Sequence, residues 1–241
     1  MPGSVTVKTQ PVYGLPSGGR GPSWEVSLLS IAGWPLAWYR MVEPAGTSLL
    51  NSGSGAASSL ALSGGYTFGV TGPRGLPAIL FDGSSGYANM ESTAGLPIGA
   101  AARTTSLWFK TTRTSKQVAF NYGAESSGNW WCHMFSNAST ATLGIATYAD
   151  DHLFSAPGAF DGNWHWEVIT YDGALAYVVY LDGAYLGGGN FGSARNTGAT
   201  RTRVAQEMNG GNYFSGTLGE IAIWNSALTP SQVAALYRAG T

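Results

Sequence analysis

Apolar and polar residues alternate in short runs along most of the chain, and Gly, Pro, Asn and Asp interrupt these runs. The clearest stretch is residues 161–187, where three Asp-Gly pairs are separated by two runs of β-branched and aromatic residues. Asp-Gly between apolar runs is a strong hairpin signal, because Gly accepts the positive φ of a tight turn. Such runs predict antiparallel strands, spaced as in a sandwich, at residues 78–81, 104–110, 117–122, 130–136, 141–148, 164–171, 175–181, 201–208 and 218–224.

Two segments have a helical pattern instead. Ser23 is a suitable N-cap for a short helix that begins at Trp24 and is ended by Gly33 and Pro35. Near the C-terminus, Thr229 and Gln232 form a Thr-x-x-Gln capping box in front of an apolar stripe. We therefore predict one short helix at each end of the strand-rich region.

Residues 1–22 differ from the rest of the chain. They are rich in Pro and Gly and contain few large apolar side chains, so they lack the surface needed to form a core. The predicted organisation is an extended N-terminal arm at residues 1–22 and one folded domain at residues 23–241. Extended segments often attach to a neighbour's sheet edge or groove. We expect docking contacts with another subunit from Val5, Val7, Val12, Tyr13 and Leu15.

The composition limits the classes of partner. Charged residues make up only 10% of the chain and the formal net charge is −1, which argues against nucleic acid and against an anionic membrane. With one cysteine, the chain has no internal disulfide. The first residues do not resemble a signal peptide, and the longest apolar run, residues 174–181, is shorter than a membrane span.

Three blocks of sequence, in this order, resemble a known family. They are LAWYRMVEPAGTSLLNSGSG at residues 36–55, AILFDGSSGYANM at residues 78–90, and the hairpins of residues 161–187 followed by GTLGEIAIWNSALTPSQVAALY at residues 216–237. Together they are similar to the laminin-G-like, concanavalin A-like jelly rolls over roughly residues 24–240. The resemblance implies an all-β fold: a two-sheet antiparallel jelly-roll sandwich with a short N-terminal helix and a C-terminal helix.

Most aromatic and aliphatic residues of the hairpins are interpreted as core, because buried aromatics dominate sandwich interiors. The residues expected to be buried are Trp164, Trp166, Val168, Leu175, Tyr177, Val179, Leu181, Ile221 and Ile223. Cys132, between large apolar neighbours, is expected to be a buried and unreactive thiol.

No catalytic residues are predicted. Glycosidases on similar jelly rolls carry a Glu-x-Asp-x-x-Glu strand motif that sets an acid and a nucleophile on one face, and this chain has none. Four aspartates, Asp82, Asp161, Asp172 and Asp182, precede Gly and are interpreted as turn formers. We therefore expect a non-enzymatic protein without a cofactor.

A metal site is not predicted either. Relatives of this family bind Ca²⁺ through an Asp-containing loop, but the matching loop here, residues 51–55, has no carboxylate. Asp150, Asp151 and His152 form the only acidic cluster, which is interpreted as a solvated loop, with a ligand or metal contact as the alternative.

Three loops have the residue types that bind sugars, namely aromatic faces beside amides and hydroxyls. They are residues 128–131, 147–152 and 209–214. The candidate carbohydrate-binding residues are Trp130, Tyr148, Asp150, Asp151, His152, Asn212 and Tyr213. Whether the loops meet at one place cannot be read from the sequence.

Two functions remain open. The resemblance to modules of phage minor tail and capsid decoration proteins implies a structural protein displayed on a virion, made in the host cytoplasm. It would join other virion proteins through its arm, in a homo-oligomer or high-copy assembly, and contact host glycans. The alternative is a free-standing carbohydrate-binding lectin domain.

Overall fold

The structure is a computed structural model that describes residues 24–137 and 140–241. The predicted arm, with Val5, Val7, Val12, Tyr13 and Leu15, and the predicted cap Ser23 lie outside the described residues. The helices are α1 (Trp24–Ala32) and α2 (Pro230–Gly240). The strands are β1 (Ala37–Tyr39), β2 (Ser48–Leu49), β3 (Leu60–Ser63), β4 (Tyr66–Thr71), β5 (Pro77–Asp82), β6 (Tyr87–Met90), β7 (Arg103–Lys110), β8 (Gln117–Gly123), β9 (Trp130–Asn137), β10 (Ala141–Ala146), β11 (His152–Ser155), β12 (His165–Tyr171), β13 (Ala176–Leu181), β14 (Ala184–Asn190), β15 (Arg201–Val204) and β16 (Ser215–Trp224).

The strands form two antiparallel sheets of eight strands each, which confirms the predicted sandwich. Sheet I has the order β14-β13-β12-β7-β16-β5-β4, and β1 also pairs with β16. Sheet II has the order β11-β10-β9-β8-β15-β6-β3-β2. Neighbours in each sheet are often distant in sequence, as expected of jelly-roll connections.

The main core lies between the sheets and follows the two-residue period of the strands. In β9, Trp131 and Phe135 belong to this core, and the rings of Phe109 and Phe135 approach to 4.5 Å between centroids across the sandwich. The alternate residues Trp130, Cys132 and Met134 belong to a separate small cluster. That cluster therefore lies on the outer face of sheet II.

The two helices cover the outer face of sheet I. Leu28 of α1 and Val233 and Leu236 of α2 pack in one buried cluster with tryptophans of β7 and β12. The Thr229 hydroxyl accepts a hydrogen bond from the Gln232 backbone N–H, and the Gln232 side chain accepts from the Thr229 backbone N–H. The predicted capping box of α2 is confirmed, and no described helix is long and apolar enough to cross a membrane.

Some expectations need correction. Leu175, predicted to be core, precedes β13 and is 39% exposed, and Trp164 precedes β12 and is only half-buried. The predicted strand at 141–148 ends at Ala146, because Tyr148 and Ala149 have φ of 62° and 71° and turn the chain. The predicted strand at 201–208 ends at Val204, before Ala205 at φ 62°.

Candidate functional site

The three loops predicted to bind sugar meet at the outer face of sheet II. The Gly128 backbone N–H donates to the Thr147 carbonyl at 3.0 Å, which joins the loop after β8 to the loop after β10. The Asn209 side-chain amide donates to Glu125 Oε1 at 2.8 Å, which joins the loop after β15 to the loop after β8. Two hydrogen bonds thus hold three loops of distant sequence around one depression.

That depression, here called the cleft, has a volume of about 410 Å³ and opens to solvent. Its floor is apolar and well packed, since Trp130 and Met134 are 3% and 4% exposed. The Trp130 indole N–H donates to Asn121 Oδ1 at 3.1 Å, which fixes the ring. The complete lining is Lys116, Glu125, Trp130, Met134, Tyr148, Ala149, Asp151, Glu207 and Asn209.

Tyr148 is the exposed aromatic residue of the cleft. Its ring lines the depression while 45% of the residue remains accessible. The left-handed backbone at Tyr148 and Ala149 is unfavourable for residues with a Cβ, and such strain persists only where neighbouring contacts impose it. Here the Thr147 backbone N–H donates to Asp151 Oδ1 at 3.0 Å and the Thr147 hydroxyl donates to the Asp150 carbonyl at 2.8 Å. These bonds fix the backbone of the turn from which the Tyr148 ring projects into the cleft.

Carboxylates dominate the charge of the cleft. Lys116 Nζ lies 3.1 Å from Glu207 Oε1, and Asn212 Nδ2 donates to the other oxygen of Glu207. Glu125 and Asp151 add two further carboxylates. Burial raises the pKa of the Cys132 thiol well above its usual value, and the nearby carboxylates of Glu207 and Asp151 raise it further. Cys132 is fully buried, as expected, and at its thiol the two carboxylates act more strongly than the opposing charge of Lys116.

The cleft brings together three of the seven predicted residues, Trp130, Tyr148 and Asp151. Asn212 does not line the cleft but is bonded to Glu207, which does, and Tyr213 is half-buried and also outside the lining. The sequence interpretation missed Lys116, Glu125, Met134, Glu207 and Asn209. Of these, only Asn209 lies in a predicted loop, because the others reach the cleft through strand pairing that local sequence does not reveal.

Asp150 and His152 make a different set of contacts. Asp150 Oδ1 lies 2.8 Å from His152 Nε2, and Asp150 Oδ2 lies 3.2 Å from Nη2 of the buried Arg195. The His152 ring packs on Tyr177 with 4.7 Å between centroids. These two side chains support the loop that carries Tyr148 and do not line the cleft.

A second group of polar residues lies between the sheets. His133 Nε2 is 2.7 Å from the Thr105 hydroxyl and His133 Nδ1 is 2.7 Å from Glu167 Oε2. Although a Thr-His-Glu chain resembles nucleophilic machinery, all three residues are 0% exposed and no substrate reaches them. Burial raises the pKa of Glu167. The cluster joins the two sheets, and no local sequence pattern indicates it because its members are far apart in the chain.

In the 51–55 loop, which was expected to lack calcium ligands, the Asn51 side chain is hydrogen-bonded to backbone groups. Asn51 Oδ1 accepts hydrogen bonds from the Trp38 and Gly53 backbone N–H groups at 2.9 and 2.8 Å. Asn51 Nδ2 donates to the Ala57 carbonyl at 2.9 Å. In the part of the chain that the structure describes, no three His, Cys, Asp or Glu side chains are grouped as metal ligands.

Solved structures share this fold at low sequence identity. Domain 4 of AbnA, a GH43 extracellular arabinanase from Geobacillus stearothermophilus in complex with arabinotriose, aligns with a TM-score of 0.59 and 20% identity over 85% of this chain and 98% of that chain. The CBM40 of the Ruminococcus gnavus IT-sialidase bound to α2,3-sialyllactose aligns with a TM-score of 0.54 and 16% identity over 66% and 96%. The binding domain of botulinum neurotoxin DC in complex with SialylT aligns with a TM-score of 0.62 and 10% identity over 88% and 52%.

Sequence comparison identifies the family. No curated protein sequence matches the chain. A laminin-G-like family model, described as the concanavalin A-like lectin/glucanases superfamily, matches residues 81–234, which is more than half of the chain. The match covers β6 to β16 and the start of α2, and with them every strand and loop that lines the cleft. This chain therefore belongs to the concanavalin A-like lectin/glucanases superfamily.

Proposed function

We propose that this protein is a carbohydrate-binding lectin domain and that it binds a glycan in the cleft. The observation that carries the proposal is the Tyr148 ring, which is exposed in the lining of a cleft whose other groups are mostly polar. A sugar has an apolar ring face, which packs on aromatic side chains. It also has hydroxyl groups, which need both hydrogen-bond donors and acceptors from the protein. Binding sites commonly combine an apolar surface with a few placed polar groups.

The polar groups of the cleft suit hydroxyl recognition. Lys116 and Asn209 supply N–H donors, while Glu125, Asp151 and Glu207 supply carboxylate acceptors. The loops are joined to each other, so little ordering is required on binding, and a preorganised site loses less free energy on association. Three structures of the same fold were solved with arabinotriose, sialyllactose or SialylT bound, which supports a glycan as the ligand.

The test is the substitution Tyr148→Ala with glycan-array screening followed by calorimetry on the best oligosaccharide. Removing the exposed ring is expected to weaken binding about tenfold, a loss typical of an aromatic anchor. Tyr148→Phe keeps the ring and should retain most of the affinity. Tyr185→Ala is the matched control, because Tyr185 is 68% exposed on β14 at the edge of sheet I, away from the cleft. Unchanged affinity in Tyr148→Ala, or a panel with no ligand, contradicts the proposal.

We further propose that binding proceeds without turnover. The carboxylates of the cleft belong to separate loops, and Glu207 and Glu125 are each held by a neighbouring N–H donor. In jelly-roll glycosidases, by contrast, the acid and the nucleophile lie on one face of a single strand. Chromatography of the bound oligosaccharide after long incubation should recover it unchanged, and release of shorter sugars would identify an enzyme.

The display of this lectin on a virus particle stays a prediction. It depends on residues 1–22, which lie outside the described residues, and the cleft would serve a free lectin equally well. Mass spectrometry of purified particles, with a search for peptides of this chain, is the measurement that decides between the two settings.

A further inference from the structure

The charge of the cleft indicates which glycans it selects, and this inference rests on the proposed function. We propose that the cleft prefers sugars that carry a free amine, such as hexosamines without an acetyl group, over neutral sugars. Sugars with a carboxylate, such as sialic acids and uronic acids, are expected to bind weakest.

The first step is the balance of charges around the ligand. Lys116 is the one cationic side chain in the lining, and it is already paired with Glu207. Glu125 and Asp151 remain as carboxylates without a cationic partner among the lining residues. Arg195, the nearby guanidinium, is 3% exposed, is bonded to Asp150 and Thr147, and does not line the cleft.

The second step is the position of these carboxylates relative to the aromatic ring. Asp151 follows Tyr148 by three residues in the same loop, and both line the cleft. An ammonium group is attracted by a carboxylate and also by the face of a Tyr ring. A bound amino sugar can satisfy both, whereas a neutral sugar gains only hydrogen bonds and ring packing.

The third step concerns the floor. The Glu207 side chain is only 8% exposed whereas its partner Lys116 is 43% exposed, so water screens the cation better than the carboxylate. At the Cys132 thiol beneath, the charges of Glu207 and Asp151 accordingly act more strongly than the opposing charge of Lys116. A carboxylated sugar in the cleft is repelled by these carboxylates. Lys116, the one cationic side chain of the lining, does not offset the repulsion because it is already paired with Glu207. The same carboxylates favour a cationic ligand.

The test uses four tetrasaccharides that differ mainly in charge: a fully deacetylated β-1,4-glucosamine tetramer, its N-acetylated form, cellotetraose and a tetragalacturonate. Calorimetry at low salt should show the glucosamine tetramer binding about three- to tenfold more tightly than cellotetraose, as expected for one or two partly exposed charge pairs. Tetragalacturonate should bind more weakly than cellotetraose. Added salt should reduce these differences, because exposed charges are screened.

The double variant Glu125→Gln with Asp151→Asn removes the two uncompensated charges but keeps the oxygens that accept from Asn209 and Thr147. Within this variant the ratio of the affinities for the glucosamine tetramer and cellotetraose should fall to about one, so that the preference for the amine is lost whatever the affinity for cellotetraose itself. Glu25→Gln is the matched control, since Glu25 lies in α1 over the opposite sheet and should leave the preference intact.

The outcomes separate the two proposals. Equal binding of the glucosamine tetramer and cellotetraose, or tighter binding of tetragalacturonate, overturns the charge selection. If that binding still depends on Tyr148, the proposed lectin function stands. If no tetrasaccharide binds in a Tyr148-dependent way, both proposals fail.

Discussion

Trp166 and Trp164 are two residues apart but differ in burial. Trp166 is 2% exposed and stacks on Trp108 and Tyr237 with centroids 6.0 and 6.2 Å apart, whereas Trp164 is half-buried. Trp166→Ala leaves a cavity between sheet I and α2, so we expect it to lower the free energy of unfolding by about 3–5 kcal/mol. Urea denaturation measures this loss. Trp164→Ala is the comparison and should cost clearly less; equal losses would contradict the difference in burial.

His165 gives the fold a pH dependence. The pKa of His165 is raised, first by its hydrogen bond to Asp182 and then by the Asp182 and Asp161 charges, while burial opposes the rise. The pKa of Asp161 is lowered to about 2, mainly by hydrogen bonds from Asn163, so Asp161 stays charged near neutral pH. Protonated His165 therefore stabilises the folded state.

The sign follows from the direction of that shift. Because the folded pKa lies above the unfolded value of about 6.5, the stabilisation is complete below about pH 6.5 and is lost as pH rises through the folded pKa. The free energy of unfolding should be higher for the unchanged protein than for His165→Gln. This difference should be largest at mildly acidic pH and should shrink towards about pH 9. Denaturation curves at several pH values measure it. A difference that is constant with pH, or that grows on the alkaline side, would rule out this role of His165.

Individual cleft residues could be predicted only where the residue type and its place in a polar loop together indicated sugar binding. An exposed aromatic in a polar loop suggested Tyr148, and Trp130 and Asp151 followed from the same loops. Glu207 and Lys116 were not predictable, because their meeting depends on how β8 and β15 pair, and that pairing brings together residues about 80 positions apart. Long-range pairing carries no local sequence signal.

Secondary-structure elements with strong local signals were predicted well. The Asp182-Gly183 turn has φ of 52° and 77°, the two positive values of a type I′ hairpin, and it joins β13 to β14 as the Asp-Gly rule predicts. Asp172 accepts hydrogen bonds from the Ala174 and Ala176 backbone N–H groups and stabilises the preceding turn. These aspartates are confirmed as turn formers.

Elements that depend on tertiary contacts were missed, or were predicted only at their start, as β14 was by the Asp182-Gly183 turn. β14 contains Gly187, Gly188 and Gly189, which have low strand propensity. A Cβ built on Gly187 would lie 2.1 Å from the Phe154 ring of β11, so glycine is required where the edges of the two sheets approach. The short strands β1, β2 and β3 form by pairing with partners already in place, and their own sequences give only weak patterns.

At the scale of the whole molecule, the two outer faces of the sandwich are used differently. Sheet I is covered by α1 and α2, whose apolar residues complete a second core. Sheet II carries the small cluster of Trp130, Met134 and Met208, with the cleft above it. The helices leave sheet II as the face on which loops can build a binding site, and the family resemblance predicted the sandwich but not this division.

We also predict that calcium has no effect on the stability of the whole domain. A ligand that binds only the folded state raises stability by RT ln(1 + [L]/Kd), so a calcium-binding domain melts higher when the ion is added. In the 51–55 loop the oxygen of Asn51 is already bonded to two backbone N–H groups. A Cβ on Gly53 would lie 2.5 Å from the Leu36 carbonyl oxygen, so the loop is packed too closely to rearrange around an ion.

Melting curves in EDTA and in millimolar Ca²⁺ should therefore superimpose, with Mg²⁺ as the control for ionic strength. An increase of several degrees with Ca²⁺ alone would contradict the prediction and would point to a site elsewhere. Asp151 would then be the first ligand to test, because its carboxylate is exposed in the cleft, whereas Asp150 is held by His152 and Arg195. Loss of the calcium effect in Asp151→Asn would place the ion in the cleft. In that case the glycan affinity should also depend on calcium.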